Sequence, residues 1–192
     1  MGLLSDSGGG GNYLVYKHQS KNFWLGKDDI VEFAGLIVDV DSIKTGWGIF
    51  ADGYKWQWDE RPGVRLPKPA DIEDQYWKSA FSVDCYLKDT EQTVVWQSHT
   101  VGNSRCFDAL TDTYLDHIET KKPGQVGAFK SLKDDKGHLK IAYKDEKQNT
   151  SWPLFEFAGW VDRPEKFTEL SDDYPGVDPV EKSSINESDI PF

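Results

Sequence analysis

Residues 79–133 read SAFSVDCYLKDTEQTVVWQSHTVGNSRCFDALTDTYLDHIETKKPGQVGAFKSLK. Two apolar-rich runs open the stretch, Ser79–Leu87 and Thr93–Ser98, around the polar turn Lys88-Asp89-Thr90-Glu91-Gln92. They read as a β-hairpin. The period then changes. Phe107, Leu110, Tyr114 and Ile118 form a stripe at helical spacing, which predicts a helix over 104–119. Asn103 or Ser104 can cap it, because their side-chain oxygens accept the orphan N–H groups of the first turn. Lys121 and Lys122 suit the negative end of the helix dipole, and Pro123-Gly124 stops the helix. A strand follows near Val126–Lys133. One helix therefore stands between strands.

Working outward, strands are expected at Leu139–Lys144, after the turn Asp134-Asp135-Lys136-Gly137, and at Leu154–Val161, ended by Arg163-Pro164. Upstream, Asn12–Lys17 reads as a short strand. Ile30–Val40 alternates over its second half, with Leu36, Val38 and Val40 on one face and Ile37, Asp39 and Asp41 on the other. Trp47–Trp58 contains Asp52-Gly53, a two-residue type I′ turn signal. That turn pairs Ala51 with Tyr54, Ile49 with Trp56 and Trp47 with Trp58. One face then carries Trp47, Ile49, Tyr54, Trp56 and Trp58, while Phe50 and Lys55 oppose each other on the reverse face. Three or more strands, one helix and further strands is the order of an oligonucleotide/oligosaccharide-binding (OB) barrel, with its helix between the third and fourth strands. The expected fold is mainly β with one helix: an OB-fold-like barrel over 12–166, a flexible Gly-rich leader over 1–11 and a disordered acidic tail over 167–192.

Composition supports that division. The chain has 192 residues, 33 acidic against 22 basic, with 8 Trp, 8 Tyr and 10 Phe. From Ser171 to Phe192 there are six acids against Lys182 alone, with three Pro, four Ser and no periodic apolar face. Such a segment buries too little apolar surface to order itself. No apolar run is long enough for a membrane span, and no secretory signal opens the chain. Two Cys cannot build a disulfide framework, so two thiols in a reducing cytoplasm are expected. Catalysis is not expected. His18, His99, His117 and His138 are scattered without metal-ligand spacing. Neither G-x-S-x-G nor G-x-x-x-x-G-K occurs. Cys106 stands near the predicted helix start, where a thiol pKa can fall, but no His–Asn set can be placed around it. No cofactor and no metal is called for.

The chain ends Ser188-Asp189-Ile190-Pro191-Phe192. An acidic tail finishing in Asp-Ile-Pro-Phe resembles the C-terminal tip of bacterial single-stranded DNA-binding proteins. The resemblance implies that Asp189, Ile190, Pro191 and Phe192 form a docking peptide for replication, recombination or repair proteins. Its physics is simple. Phe192 offers a ring and a free carboxylate together, which suit an apolar pocket rimmed by Arg or Lys. Pro191 lowers the ordering cost, Ile190 adds apolar contact, and Asp189 with the upstream acids steers the tail to a basic surface. The body does not align with that family, so none of its DNA-binding residues carry over. A phage protein bearing a host-type docking peptide would combine the two features.

Single-strand binding needs aromatic platforms for bases and cations for phosphates. Trp47, Tyr54, Trp56 and Trp58 supply candidate platforms. The Pro-rich loop 61–69 adds Arg61, Arg65 and Lys68 with no acid between them. Eight Lys lie between Lys121 and Lys147 against four acids. Lys140 and Lys144 share a face of their predicted strand, with His138 near the turn and with Lys130 and Lys133 flanking it. The expected function is non-sequence-specific binding of single-stranded DNA, with partner recruitment through the tip, in a cytoplasm (the host's if viral). Two rivals remain. One is an adaptor that recruits replication proteins without binding DNA. The other is a carbohydrate- or peptide-binding β domain, which leaves the terminal tetrapeptide unexplained.

Overall fold

The computed structural model of the chain describes residues 13–61 and 64–167. In chain order the elements are β1 (Tyr13–Lys17), β2 (Asn22–Leu25), β3 (Asp29–Val31), β4 (Gly35–Phe50), β5 (Tyr54–Trp58), β6 (Lys78–Leu87) and β7 (Gln92–Ser98). Then come α1 (Val101–Asp116) with a 3₁₀ turn (Ile118–Thr120), β8 (Gln125–Ser131), β9 (Ile141–Tyr143), β10 (Ser151–Pro153) and β11 (Phe155–Asp162). Nine strands form one sheet in the order β11-β8-β4-β6-β7-β1-β2-β3, with β5 added to β4. β9 and β10 form a separate ribbon. The protein is mainly β with one helix, as its sequence implies.

The spine is β4. Its first half lies between β8 and β6, and its second half between β5 and β6. Between the pairs Asp39–Asp84 and Lys44–Ser82, β4 takes five residue steps where β6 takes two. Surplus residues on one strand bend it and tighten its twist. The sheet is strongly curled into a half-barrel. Its concave face holds Leu36, Val38, Val83, Cys85, Leu87, Val94 and Trp96, against Phe107, Leu110 and Tyr114 of α1. The β9–β10 ribbon joins α1 and β1 there. Tyr16 and Ser151 share a hydroxyl hydrogen bond of 3.0 Å, Cys106 Sγ donates to the Pro153 carbonyl at 3.4 Å, and a Cβ on Gly102 would come within 2.6 Å of the Ser151 oxygen.

The convex face is partly covered too. Ile37, Val126 and Phe167 pack together with Tyr86, Ala128 and Val161. Phe167, one residue beyond the expected end of the domain, is buried. Arg163 reaches the buried Asp39 carboxylate at 2.6 Å. Burial pushes the Asp39 and Asp84 carboxyls above their usual range, with Arg163 opposing the rise at both.

Several expectations shift. The helix runs from 101 to 116, three residues earlier than the caps suggested. Asn103 is no cap. It is buried, accepting from the Tyr16 N–H (3.0 Å) and Trp96 Nε1 (2.9 Å) and donating to the Tyr16 carbonyl (2.9 Å) and Thr100 Oγ1 (2.8 Å). A fully paired amide is the form in which such a group can be buried at low cost. Ile118 leaves the helical stripe and is exposed. Cys85 and Cys106 are free and buried, and burial raises both thiol pKa values, so the lowered value considered for Cys106 does not arise. The strands β2 and β10 lay unrecognised in the sequence, and the strand expected over Ile30–Val40 divides into β3 and the start of β4. No helix among the described residues is long and apolar enough to cross a membrane. The leader and the acidic tail, with Asp189, Ile190, Pro191 and Phe192, lie outside the described residues.

Candidate nucleic-acid interface

The β4–β5 hairpin turns through three residues, Ala51, Asp52 and Gly53, not two. Phe50 pairs with Tyr54, Gly48 with Trp56 and Gly46 with Trp58. Asp52 and Gly53 take positive φ values of 54° and 111°, and the Ala51 N–H donates to the Gly53 carbonyl at 2.9 Å. Left-handed backbone is tolerated by Asp and is free of strain for Gly. The longer turn slips the register by one residue, and a one-residue slip changes faces. Trp47 and Ile49 therefore leave the face expected of them and join Lys55 and Gln57. Phe50 moves the other way, onto the face of Tyr54, Trp56 and Trp58.

Parity along β4 and β6 fixes which face is which. Thr45 pairs with Phe81 of the core and Gly46 with Ala80. The row Gly46, Gly48, Phe50 is thus convex, together with Tyr54, Trp56 and Trp58. On it the three β5 rings form a ladder. Tyr54 and Trp56 stack at 5.8 Å with 9° between planes, and Trp56 and Trp58 at 5.5 Å with 7°. Phe50 meets Tyr54 edge-on at 5.0 Å. Tyr54 is 58% exposed and Phe50 55%, so this end of the ladder faces water.

The glycines make room for the ladder. A Cβ on Gly48 would come within 2.5 Å of Trp56 Cζ3, and one on Gly46 within 2.2 Å of the Gln57 carbonyl oxygen. Aromatic rings laid over strand glycines recover packing that a glycine cannot supply. His99, just past β7, lies against the Tyr54 and Trp56 rings at 5.7 and 5.6 Å, both near-perpendicular. Burial first, and the Lys78 charge second, hold its pKa below the ordinary value. Lys78 pairs with Gly48 from the β6 side and is exposed. Five tryptophans donate their indole N–H to protein acceptors. Those of Trp56 and Trp58 have no acceptor among the described residues.

Trp47 has a different role. Its Nε1 donates to the Leu66 carbonyl at 2.9 Å, and the Arg65 guanidinium lies 4.1 Å from its ring centroid. Arg65 also donates to Ser79 Oγ. Asp59 holds the loop, accepting from Thr45 Oγ1 (2.6 Å) and the Leu66 N–H (2.9 Å). Arg61 is exposed beside this loop, while Lys68 is taken up in an ion pair with Asp71 at 2.9 Å.

The lysines of the β8–β11 connection divide. Lys133 and Lys140 line a cavity of about 680 Å³ with Lys21, His138, Tyr143 and Phe33. Lys21 Nζ donates to the Tyr143 hydroxyl at 2.8 Å. Glu32 and Asp134 are on the same wall. Asp134 accepts from the Lys136 and His138 N–H groups, which holds its carboxyl below the usual range. Lys130 is elsewhere, pairing with Glu156 across β11 at 3.5 Å, and Lys144 is exposed outside the cavity lining.

Two groups thus form, one at each end of β4: the convex ladder with Trp47 and Arg65 near its C-terminal half, and the lysine cavity near its start. Phe50, His99, Lys78 and Lys21 were not singled out from sequence. Phe50 alone carried a usable signal, since a three-residue turn at Asp52-Gly53 would have aligned it with Tyr54. No group of three or more His, Cys, Asp or Glu among the described residues could hold a metal ion. No protein-family model, no curated protein and no solved structure matches the chain.

Proposed function

We propose that this protein binds single-stranded DNA without sequence preference, as an OB-type domain. The observation that carries the reading is the convex ladder of Tyr54, Trp56 and Trp58, open to water at its Tyr54 end and with Lys78 beside it. Aromatic rings accept any base, because every base has a π-face, and cations alongside hold the phosphates. The topology supports it. The strands β4, β6, β7, β8 and β11, with α1 between the third and fourth, follow the OB order. In that frame the ladder and the Arg65 loop fall in the first inter-strand connection and the lysine cavity in the last. OB folds grip oligonucleotides with these two connections and the strand face between them. The tail would recruit replication or repair proteins through Asp189, Ile190, Pro191 and Phe192.

A sugar-binding reading fits less well. It leaves the terminal Asp-Ile-Pro-Phe without a role. The test is a titration of the full chain's tryptophan fluorescence with oligothymidine and with a matched duplex, at low and moderate salt. Quenching by the single strand alone, with affinity falling as salt rises, is expected. On single strands each phosphate contact contributes about −0.7 to the slope of log K against log salt. Silence toward both nucleic acids would overturn the reading and leave the adaptor role.

A further inference from the structure

We propose that the ladder is a set of slots, and that two successive bases insert between its rungs instead of lying across the rung edges. The inference rests on the single-strand reading and specifies how this site engages its ligand.

The argument is one of spacing. A base between two aromatic faces needs those faces about 7 Å apart, twice the carbon–carbon contact distance of about 3.5 Å. Alternate residues on a strand repeat every 6.4–6.8 Å or so. Tyr54, Trp56 and Trp58 are therefore rooted at nearly the spacing that interleaved bases require. In the ligand-free protein the ring centroids lie 5.8 and 5.5 Å apart. A centroid separation is the upper limit of the gap between near-parallel faces, so each gap must open by at least about 1 Å.

The surroundings permit this movement. Gly48 puts no side chain beneath Trp56, and His99, edge-on to Tyr54 and Trp56, shifts as the first gap opens. The Trp56 and Trp58 indole N–H groups are tied to no described acceptor, so no hydrogen bond breaks as the rings tilt. Filling a gap replaces one ring–ring contact with two ring–base contacts. The inserted strand would advance by about 7 Å per nucleotide, roughly twice the 3.4 Å of a stacked duplex strand. Phe50 closes the Tyr54 end edge-on, which leaves two slots, one on each face of Trp56.

The middle rung then serves two bases and each end rung one. With full-length protein and oligothymidine, Tyr54→Ala and Trp58→Ala are each expected to weaken binding about tenfold, and Trp56→Ala about a hundredfold. Trp56→Phe keeps both faces and should recover most of the loss, which guards against misfolding as the cause. A second readout leaves the protein intact. In the complex, thymine methyl resonances should move far upfield, because inserted bases feel ring currents from both sides. An oligomer of saturated dihydrothymidine, equal in charge but not planar, should bind weakly. Equal losses at all three rungs, with thymine methyls little shifted, would overturn the slots while leaving single-strand binding in place. Failure of unmodified oligothymidine to bind at all would instead overturn the reading on which the slots rest.

Discussion

Among the stacked aromatic groups of the described residues, two have opposite fates. In the core, Phe81 stacks on Phe107 at 4.2 Å, and Trp96 meets both rings edge-on. Trp96 is fully buried, and its indole N–H is satisfied by Asn103. On the convex face, the Tyr54–Trp56–Trp58 ladder also stacks, at wider centroid spacing, with Tyr54 exposed, Trp56 and Trp58 partly buried, Gly48 against Trp56, and two indole donors without an acceptor among the described residues. Near-parallel stacking occurs in both, so it cannot distinguish core from site. The polar handles and what lies beneath the rings do. A core aromatic is pinned by side chains on every side and a hydrogen bond, whereas these rungs are held by backbone, by each other, and by Phe50 and His99 on one side.

The largest expected effect breaks the core member of this comparison. Asn103→Ala would leave the Tyr16 N–H, the Tyr16 carbonyl and the Trp96 indole N–H unpaired in the interior. Each orphan costs about 1–3 kcal/mol, so urea denaturation should show a stability loss of about 3 kcal/mol or more. The oligothymidine affinity of the folded fraction should not change. A loss under about 1 kcal/mol would mean that water or a shifted backbone replaces the amide, and that pinning is not what separates the two groups. Next comes Gly48→Ala, which presses a methyl into Trp56 while deleting no ring. Overpacking of this kind costs about 1–3 kcal/mol. Here the affinity should drop as well, because the displaced ring no longer aligns with Tyr54 and Trp58.

How much of this was legible in the sequence depends on what fixed each feature. The β6–β7 hairpin and α1 were readable because their apolar periods are regular and their interior faces are buried. β2 and β3 are short, four and three residues, too brief to set a period. β10 contains Pro153, which sequence reasoning places outside a strand. The ladder residues were found and their register was missed, since Asp52-Gly53 signals a two-residue turn while the chain uses three. The helix start was missed for a tertiary reason: Asn103 is claimed by Tyr16 and Trp96, 87 and seven residues away. The grouping of Lys21 with Lys133 and Lys140 depends on contacts between distant segments, which no local pattern encodes.

A smaller effect tests the cationic side of the exposed group. Arg65→Ala removes the guanidinium from Trp47. Exposed cation–π contacts contribute about 0.5–1 kcal/mol, so stability should fall by no more than that. If Arg65 also meets a phosphate, the salt slope for oligothymidine should flatten by roughly 0.7. An unchanged slope would confine Arg65 to holding its loop.

The smallest effect concerns His99, the histidine packed against the ladder among the described residues. Its pKa is held below the ordinary histidine value, by burial first and Lys78 second. As pH falls, the unfolded chain therefore takes the proton before the folded one does. Stability from this group is whole above about pH 6.5 and is lost as the pH drops from there through the lowered folded value. Thermal denaturation of the full chain should show that decline, and His99→Phe, which keeps an aromatic ring against Tyr54 and Trp56, should remove this part of it. Lys78→Gln should shrink the decline without abolishing it, because burial is the larger cause. A wild-type profile flat across this window would mean that water reaches the ring freely, and that the rungs already stand apart without a ligand.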